Sequence, residues 1–105
     1  MEVKQIYEIY EELEKINYKD LKKIICRNMK KYRLELYNQY KKQYNKRRKY
    51  DNPYSTANIS DYLEISDIYY RRLESEKDQY KHITMDRLIK LSIVLNKNLE
   101  DFLIE

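Results

Sequence analysis

The 105-residue chain contains no glycine. This excludes a Walker loop and a dinucleotide-binding fingerprint, because both need backbone conformations that only glycine supplies. A single cysteine, Cys26, excludes an internal disulfide and a cysteine-based zinc site, and fits a reducing compartment. A single histidine, His82, leaves a histidine-dependent triad or metal cluster almost nothing to work with. The expectation is a binding protein and not an enzyme, without metal or cofactor. No apolar run approaches the roughly 20 residues that span a bilayer, and Met1-Glu2 reads as the start of a charged helix, not of a signal peptide. A cytoplasmic protein with no membrane partner is expected. Tryptophan is absent, and phenylalanine and proline occur once each.

What remains is charge and tyrosine. Thirteen tyrosines stand against the single phenylalanine, so the core is expected to use amphipathic rings. Lys (15), Tyr (13), Ile (12) and Asn (8) supply nearly half the chain, and all four have A/T-rich codons; part of the composition therefore reflects an A/T-rich genome. The net charge of +4 conceals three blocks: residues 1–20 at −3, residues 21–50 at +11 with Glu35 as the only acid, and residues 51–105 at −4. A block of +11 is either a solvated lysine-rich helix face or a phosphate-contacting surface. What it is attached to must decide.

Helical spacing organises one domain. Val3, Ile6, Tyr7, Tyr10 and Leu13 share a face opposite Glu8, Glu11, Glu12 and Glu14, predicting an extra amphipathic helix over 2–16, within a segment 1–17. Asn17 to Asp20 resembles a capping box. It opens a long basic helix from about 18 to 48, with Leu21, Ile25, Met29, Tyr32 or Arg33, and Leu36 inward and Tyr37, Tyr40 and Tyr44 in line. The second half of that helix, within the segment 18–53, is open to an alternative reading as a mobile arm. After Pro53, Ser55 caps a short helix over 56–63, buried through Ile59, Tyr62 or Leu63, and Ser66 caps another through Glu74; segment 54–75 holds both. Segment 76–105 has a charged loop with His82, a helix Met85–Leu95 capped by Thr84 with Leu88, Leu91, Val94 and Leu95 inward, and a last turn with Phe102. No segment alternates with period two. The fold class is all-α.

The segment YSTANISDYLEISDIYYRRLESEK (54–77) resembles the helix-turn-helix of the λ-repressor-like (Cro or XRE-type) family. Ile59, Ser60 and Leu63 fill its first helix, Ile65-Ser66 its turn, and Tyr70, Leu73 and Glu74 its second. ITMDRLIKLSIVLNKNLEDFL is similar to the family's fourth and fifth helices, and NMKKYRLEL to its first. The resemblance implies a five-helix core, here with an added N-terminal helix and an extended first core helix, and an ion pair between Arg33 and Glu74. The family's turn glycine is replaced by Glu64, at a position that typically needs positive φ, for about 1 kcal/mol. Its later glycines are replaced by Glu76 and by Asn96, the latter a good left-handed cap.

The implied function is that of a sequence-specific transcriptional regulator or repressor, binding double-stranded DNA as a homodimer, from a bacterium, phage or mobile element. Base-edge candidates on the recognition helix are Asp67, Ile68 and Arg72. Asp67 reads equally as a stabiliser of the helix dipole. Phosphate candidates are Thr56, Tyr69 and Arg71, with Lys41, Lys42, Lys46, Arg47, Arg48 and Lys49 of the basic block. Thr56 reads alternatively as capping support, and Tyr70 as core. The Tyr/Lys/Arg interleaving also suits single-stranded nucleic acid, though no RNA-binding module is present. The rival reading is a protein-binding module on the same scaffold, such as an antitoxin or a phage-encoded inhibitor of a host nuclease of anti-CRISPR type. The acidic Asp67, the negative balance of 51–105 and the two additions favour it. Cys26 reads as a core position and His82 as an exposed loop residue.

Overall fold

A computed structural model describes residues 3–44, 52–78 and 81–105. Lys46, Arg47, Arg48 and Lys49 of the phosphate set lie outside the described residues. Five α-helices and a closing 3₁₀ turn form, with no strand among the described residues: an all-α fold. They are α1 (Ile6–Glu14), α2 (Tyr18–Tyr44), α3 (Thr56–Tyr62), α4 (Asp67–Glu74), α5 (Met85–Val94) and the turn Leu99–Phe102. Among the described residues no helix is long and apolar enough to cross a membrane.

Side chains set three of the helix starts. Asn17 Oδ1 accepts the Asp20 N–H at 3.1 Å before α2, Ser55 Oγ the Asn58 N–H at 3.1 Å before α3, and Ser66 Oγ the Tyr69 N–H at 3.1 Å before α4. Each satisfies an otherwise orphaned first-turn donor. Thr84 stands at the N-cap of α5 but makes no such bond. It hydrogen-bonds the Asp86 carboxyl and holds it below the usual range.

Helix ends show how a chain without glycine turns. Glu64 (φ 59°) and Asn96 (φ 54°) are left-handed, the only two positive-φ residues among those described. At each, paired bonds close the helix: Glu64 N–H to Asp61 O and Ile65 N–H to Ser60 O, then Asn96 N–H to Ile93 O and Lys97 N–H to Ser92 O. This is the Schellman pattern, and asparagine tolerates it better than glutamate. Beyond a 3.9 Å approach to Lys90, the exposed Glu64 carboxylate has little to offset the strain. Glu64→Gly is therefore expected to raise stability by about 0.5–1 kcal/mol in urea denaturation; a loss would show that Glu64 is not strained. α4 ends differently, through Ser75 in extended geometry (φ −81°, ψ 120°). No left-handed residue is needed there, so Glu76 replaces glycine without backbone cost.

The core gathers Met29 from α2, Ile59 and Leu63 around α3, Tyr70 and Leu73 from α4, Leu88, Leu91 and Leu95 around α5, and Phe102. Each large buried side chain contributes about 1.5–3 kcal/mol of transfer energy. Of the two candidates at the end of α3, Leu63 is buried and Tyr62 is exposed. Two buried asparagines join elements across the fold. Asn28 Nδ2 donates to the carbonyls of Phe102 (2.9 Å) and Ile104 (2.8 Å), pinning the C-terminal turn to α2. Asn52 Nδ2 donates to Tyr37 O (2.9 Å), its Oδ1 accepts the Tyr54 N–H (2.9 Å), and its carbonyl accepts Asn58 Nδ2 (2.8 Å). It fastens the approach to α3 onto the middle of α2.

α1 departs from expectation. It starts at Ile6, leaving Val3 outside the helix, and none of its residues is buried. Its Glu8 carboxylate accepts the Gln5 N–H at 3.2 Å, and Lys4 pairs with Glu12.

Candidate functional site

α4 is anchored by Tyr70, Leu73 and Glu74, all buried, which turns Ile68, Arg71 and Arg72 outward. Ile68 is 74 % exposed, a large apolar side chain on a polar surface. Beneath α4, Arg33 and Glu74 meet as a buried fork. Arg33 Nε lies 2.9 Å from Glu74 Oε2, Nη2 lies 3.1 Å from Oε1, and Nη1 donates to Tyr54 O at 3.2 Å. One guanidinium thus holds together α2, α4 and the entry to α3.

The outward arginines are already engaged. Arg71 Nη2 lies 2.9 Å from Asp67 Oδ2, one helical turn away, and Arg71 Nε reaches Thr56 Oγ1 at 3.4 Å. Asp67 Oδ1 is buried with no hydrogen-bond partner. Arg72 Nε donates to Asp78 Oδ2 at 2.8 Å, while Asp78 Oδ1 accepts the Lys81 N–H at 3.1 Å. Tyr69 is half-buried, with the Lys81 ammonium 5.3 Å and the Arg87 guanidinium 5.8 Å from its ring centre. Lys81 and Arg87 thus join the α4 surface from the following elements, which no spacing within the motif could reveal. Thr56 does not cap α3, because Ser55 does; its hydroxyl faces Arg71 instead.

Beside α4 opens a cleft of about 730 Å³ lined by Lys30, Leu34 and Tyr37 of α2, Thr56 and Ala57 of α3, and Arg71. Lys30, Leu34, Tyr37 and Lys41 follow one another at 4-3-4 spacing, so Lys41 continues the face of α2 that lines the cleft. Lys42 is exposed one residue round. Lys30, Lys41 and Lys42 have no acidic partner among the described residues. Lys30 is hidden in the sequence because it falls within a stretch that reads as core helix. Tyr40 and Tyr44 stack beyond, ring centres 4.6 Å apart.

Among the described residues no cluster of His, Cys, Asp or Glu could hold a metal ion. The Cys26 Sγ donates to Leu73 O at 3.1 Å, and burial pushes its thiol up, away from the reactive thiolate. His82 is exposed.

The Tyr70 ring is fully buried against the Arg33–Glu74 pair, and burial, then the Glu74 carboxylate, push its hydroxyl well above the usual phenol range. Burial raises Tyr32 and Tyr62 as well. In each case the unfolded chain loses its proton first as pH rises, so stability falls where the unfolded state binds fewer protons than the native one. Unfolding free energy is therefore expected to decline above about pH 10, with an earlier contribution from Cys26 near pH 9. Tyr70→Phe should remove the largest part of that decline. An unchanged alkaline slope in the variant, followed by circular dichroism, would rule out Tyr70 as its source.

Compared with known proteins, no family model, no curated protein and no solved structure matches this chain.

Proposed function

We propose that the protein is a sequence-specific DNA-binding regulator of phage-repressor type, with α3 and α4 as the two helices of a λ-repressor-like helix-turn-helix. The observation that carries this reading is the outward row Ile68, Arg71 and Arg72 on α4, standing beside a cleft that Lys30 of α2 lines, with Lys41 further along the same helix face. The N-terminal half of α4 enters the major groove. Arg72 exchanges Asp78 for O6 and N7 of a guanine, and Ile68 packs on a thymine methyl. Thr56, Lys30, Lys41 and Lys42 take phosphate oxygens, and Arg71 and Tyr69 flank them. The protein acts by occupying DNA and makes or breaks no bond; as a homodimer it reads two half-sites.

One observation favours a second reading, a protein-binding module such as an inhibitor of a host nuclease or an antitoxin. Both outward arginines are neutralised within the chain, Arg71 by Asp67 and Arg72 by Asp78. A surface that pairs its own charges resembles a protein interface more than a phosphate track. Lys30 of the cleft, with Lys41 and Lys42 further along α2, then faces an acidic patch on the partner.

Fluorescence anisotropy on a pool of random duplexes, across a salt series, separates the two. A regulator binds the pool weakly with a steep salt dependence, and selection from the pool enriches one sequence. Absence of salt-sensitive duplex binding would hand the function to the protein-partner reading.

A further inference from the structure

A second cavity, of about 250 Å³, lies between the first turns of α2, the buried side of α4 and the segment leading into α5. Its walls are apolar: Leu21, Ile25 and Met29 of α2, Leu73 of α4, and Ile83 before α5. Cys26 shares the wall, but its thiol already donates to Leu73 O at 3.1 Å. The nitrogen-bearing side chains that line it are Lys22, Lys81 and His82, and no aspartate or glutamate does. The Lys81 ammonium stands 5.3 Å from the Tyr69 ring centre, and His82 is exposed. Lys22 differs from both. Its Nζ is buried without a hydrogen-bond partner, and no ion pair holds it among the described residues. The acids nearest this part of α2 are engaged elsewhere: Glu74 with Arg33, Glu76 with Arg27 and Asp78 with Arg72.

We propose that this cavity binds a small amphipathic carboxylate, with its hydrocarbon part against the apolar walls and its carboxylate on Lys22 Nζ. Charge selects the head. A buried ammonium without a partner is costly, because burial strips its hydration and nothing replaces it. An entering anion supplies the counter-charge that the chain withholds, through a charge-assisted hydrogen bond. The walls select the tail. Water is a poor tenant here, since buried waters make about three hydrogen bonds and these walls are mostly hydrocarbon. A hydrocarbon tail instead gains about 0.8 kcal/mol for each methylene it buries. Size limits the whole. The cavity falls below the roughly 300–1,000 Å³ of pockets for drug-sized ligands, so a short alkyl or single-ring acid fits and a nucleotide does not. None of the lining residues belongs to the proposed duplex contacts, so this site and the DNA reading stand or fall separately.

Octanoate is the probe, with octanol as its uncharged match and inorganic phosphate as an anion without a tail. Titration of the full chain, followed by methyl NMR, should give saturable shifts at Ile25, Met29 and Ile83 with octanoate, weaker binding with octanol and none with phosphate. Lys22→Met keeps the stem and removes the charge. It is expected to weaken octanoate binding by at least about tenfold and to leave octanol binding unchanged. It should also raise the urea midpoint of the ligand-free protein, because a buried charge without a partner has gone. Ile83→Glu, which sets a carboxylate in the wall, should abolish octanoate binding with near-ultraviolet circular dichroism of the core unchanged. A wild-type chain without saturable octanoate binding overturns the proposal, even if it binds duplex DNA. So does equal octanoate affinity in Lys22→Met, or phosphate alone producing the same shifts. A Lys22→Met chain that unfolds more readily overturns it too, since the ammonium would then already have its partner.

Discussion

Glu74→Ala is expected to cost about 3–5 kcal/mol of stability. The Arg33 and Glu74 side chains are only 9 % and 6 % exposed, and three hydrogen bonds of 2.9–3.1 Å join them. Removing the carboxylate leaves a guanidinium under α4 with Tyr54 O as its remaining protein acceptor. Because small domains are stable by about 5–15 kcal/mol, this one change approaches the whole margin, and urea denaturation should find the midpoint sharply lowered. The paired change Arg33→Met with Glu74→Leu should be far milder than either single truncation, since a buried ion pair roughly balances its own desolvation. If Glu74→Ala costs under about 1 kcal/mol, the pair is solvated and the fork geometry wrong.

The second large effect concerns duplex binding. Neutralising Lys41, Lys42, Arg47 and Arg48 together is expected to weaken binding to every sequence alike. It should also flatten the salt dependence, by about 0.9 in log–log slope for each phosphate that is no longer neutralised. Arg72→Ala should instead cost about 1–3 kcal/mol on the selected site while leaving the random pool nearly untouched. The Arg72–Asp78 ion pair adds a further test. Asp78→Asn keeps an acceptor for the Lys81 N–H but removes the charge that Arg72 must leave, so it should strengthen duplex binding. Equal losses for the lysine set and Arg72→Ala on every sequence would reduce Arg72 to a phosphate ligand.

Much of the architecture is legible in the sequence because it depends on local chemistry. Ser55, Ser66 and Asn17 announce helix starts through their side-chain oxygens, and Leu88, Leu91 and Leu95 repeat at helical spacing. The strained turn at Glu64 is legible only through the family resemblance, as is the meeting of Arg33 with Glu74, 41 residues apart. Asn28 and Asn52 are not legible. An asparagine in a helix or before a proline reads as surface, and only the folded chain shows which carbonyls it reaches. The internal pairing of Arg71 and Arg72 is hidden for a related reason. The sequence sets Asp67 against phosphate and against the helix dipole before it suggests the arginine one turn along, and Asp78 lies in a loop with no expected geometry. Periodicity identifies the apolar face of α1, yet it cannot report whether a face is covered.

Asn52 has a consequence for how this chain can vary. By bonding back to Tyr37 O at 2.9 Å, it roots the approach to α3 at one point on α2, two turns before that helix ends at Tyr44. Lys41 and Lys42, which lie on α2 beyond this root, therefore sit on a stretch whose attachment is independent of its content. Lengthening a segment closed between Tyr37 and Asn52 is cheap, since doubling it costs only about 0.6 kcal/mol in closure entropy. Related chains can thus be expected to differ most between these two points, gaining or losing lysines and whole turns, while the root asparagine and the helices beneath it stay fixed. The charge offered to a partner would then be tuned by segment length, without renegotiating the core.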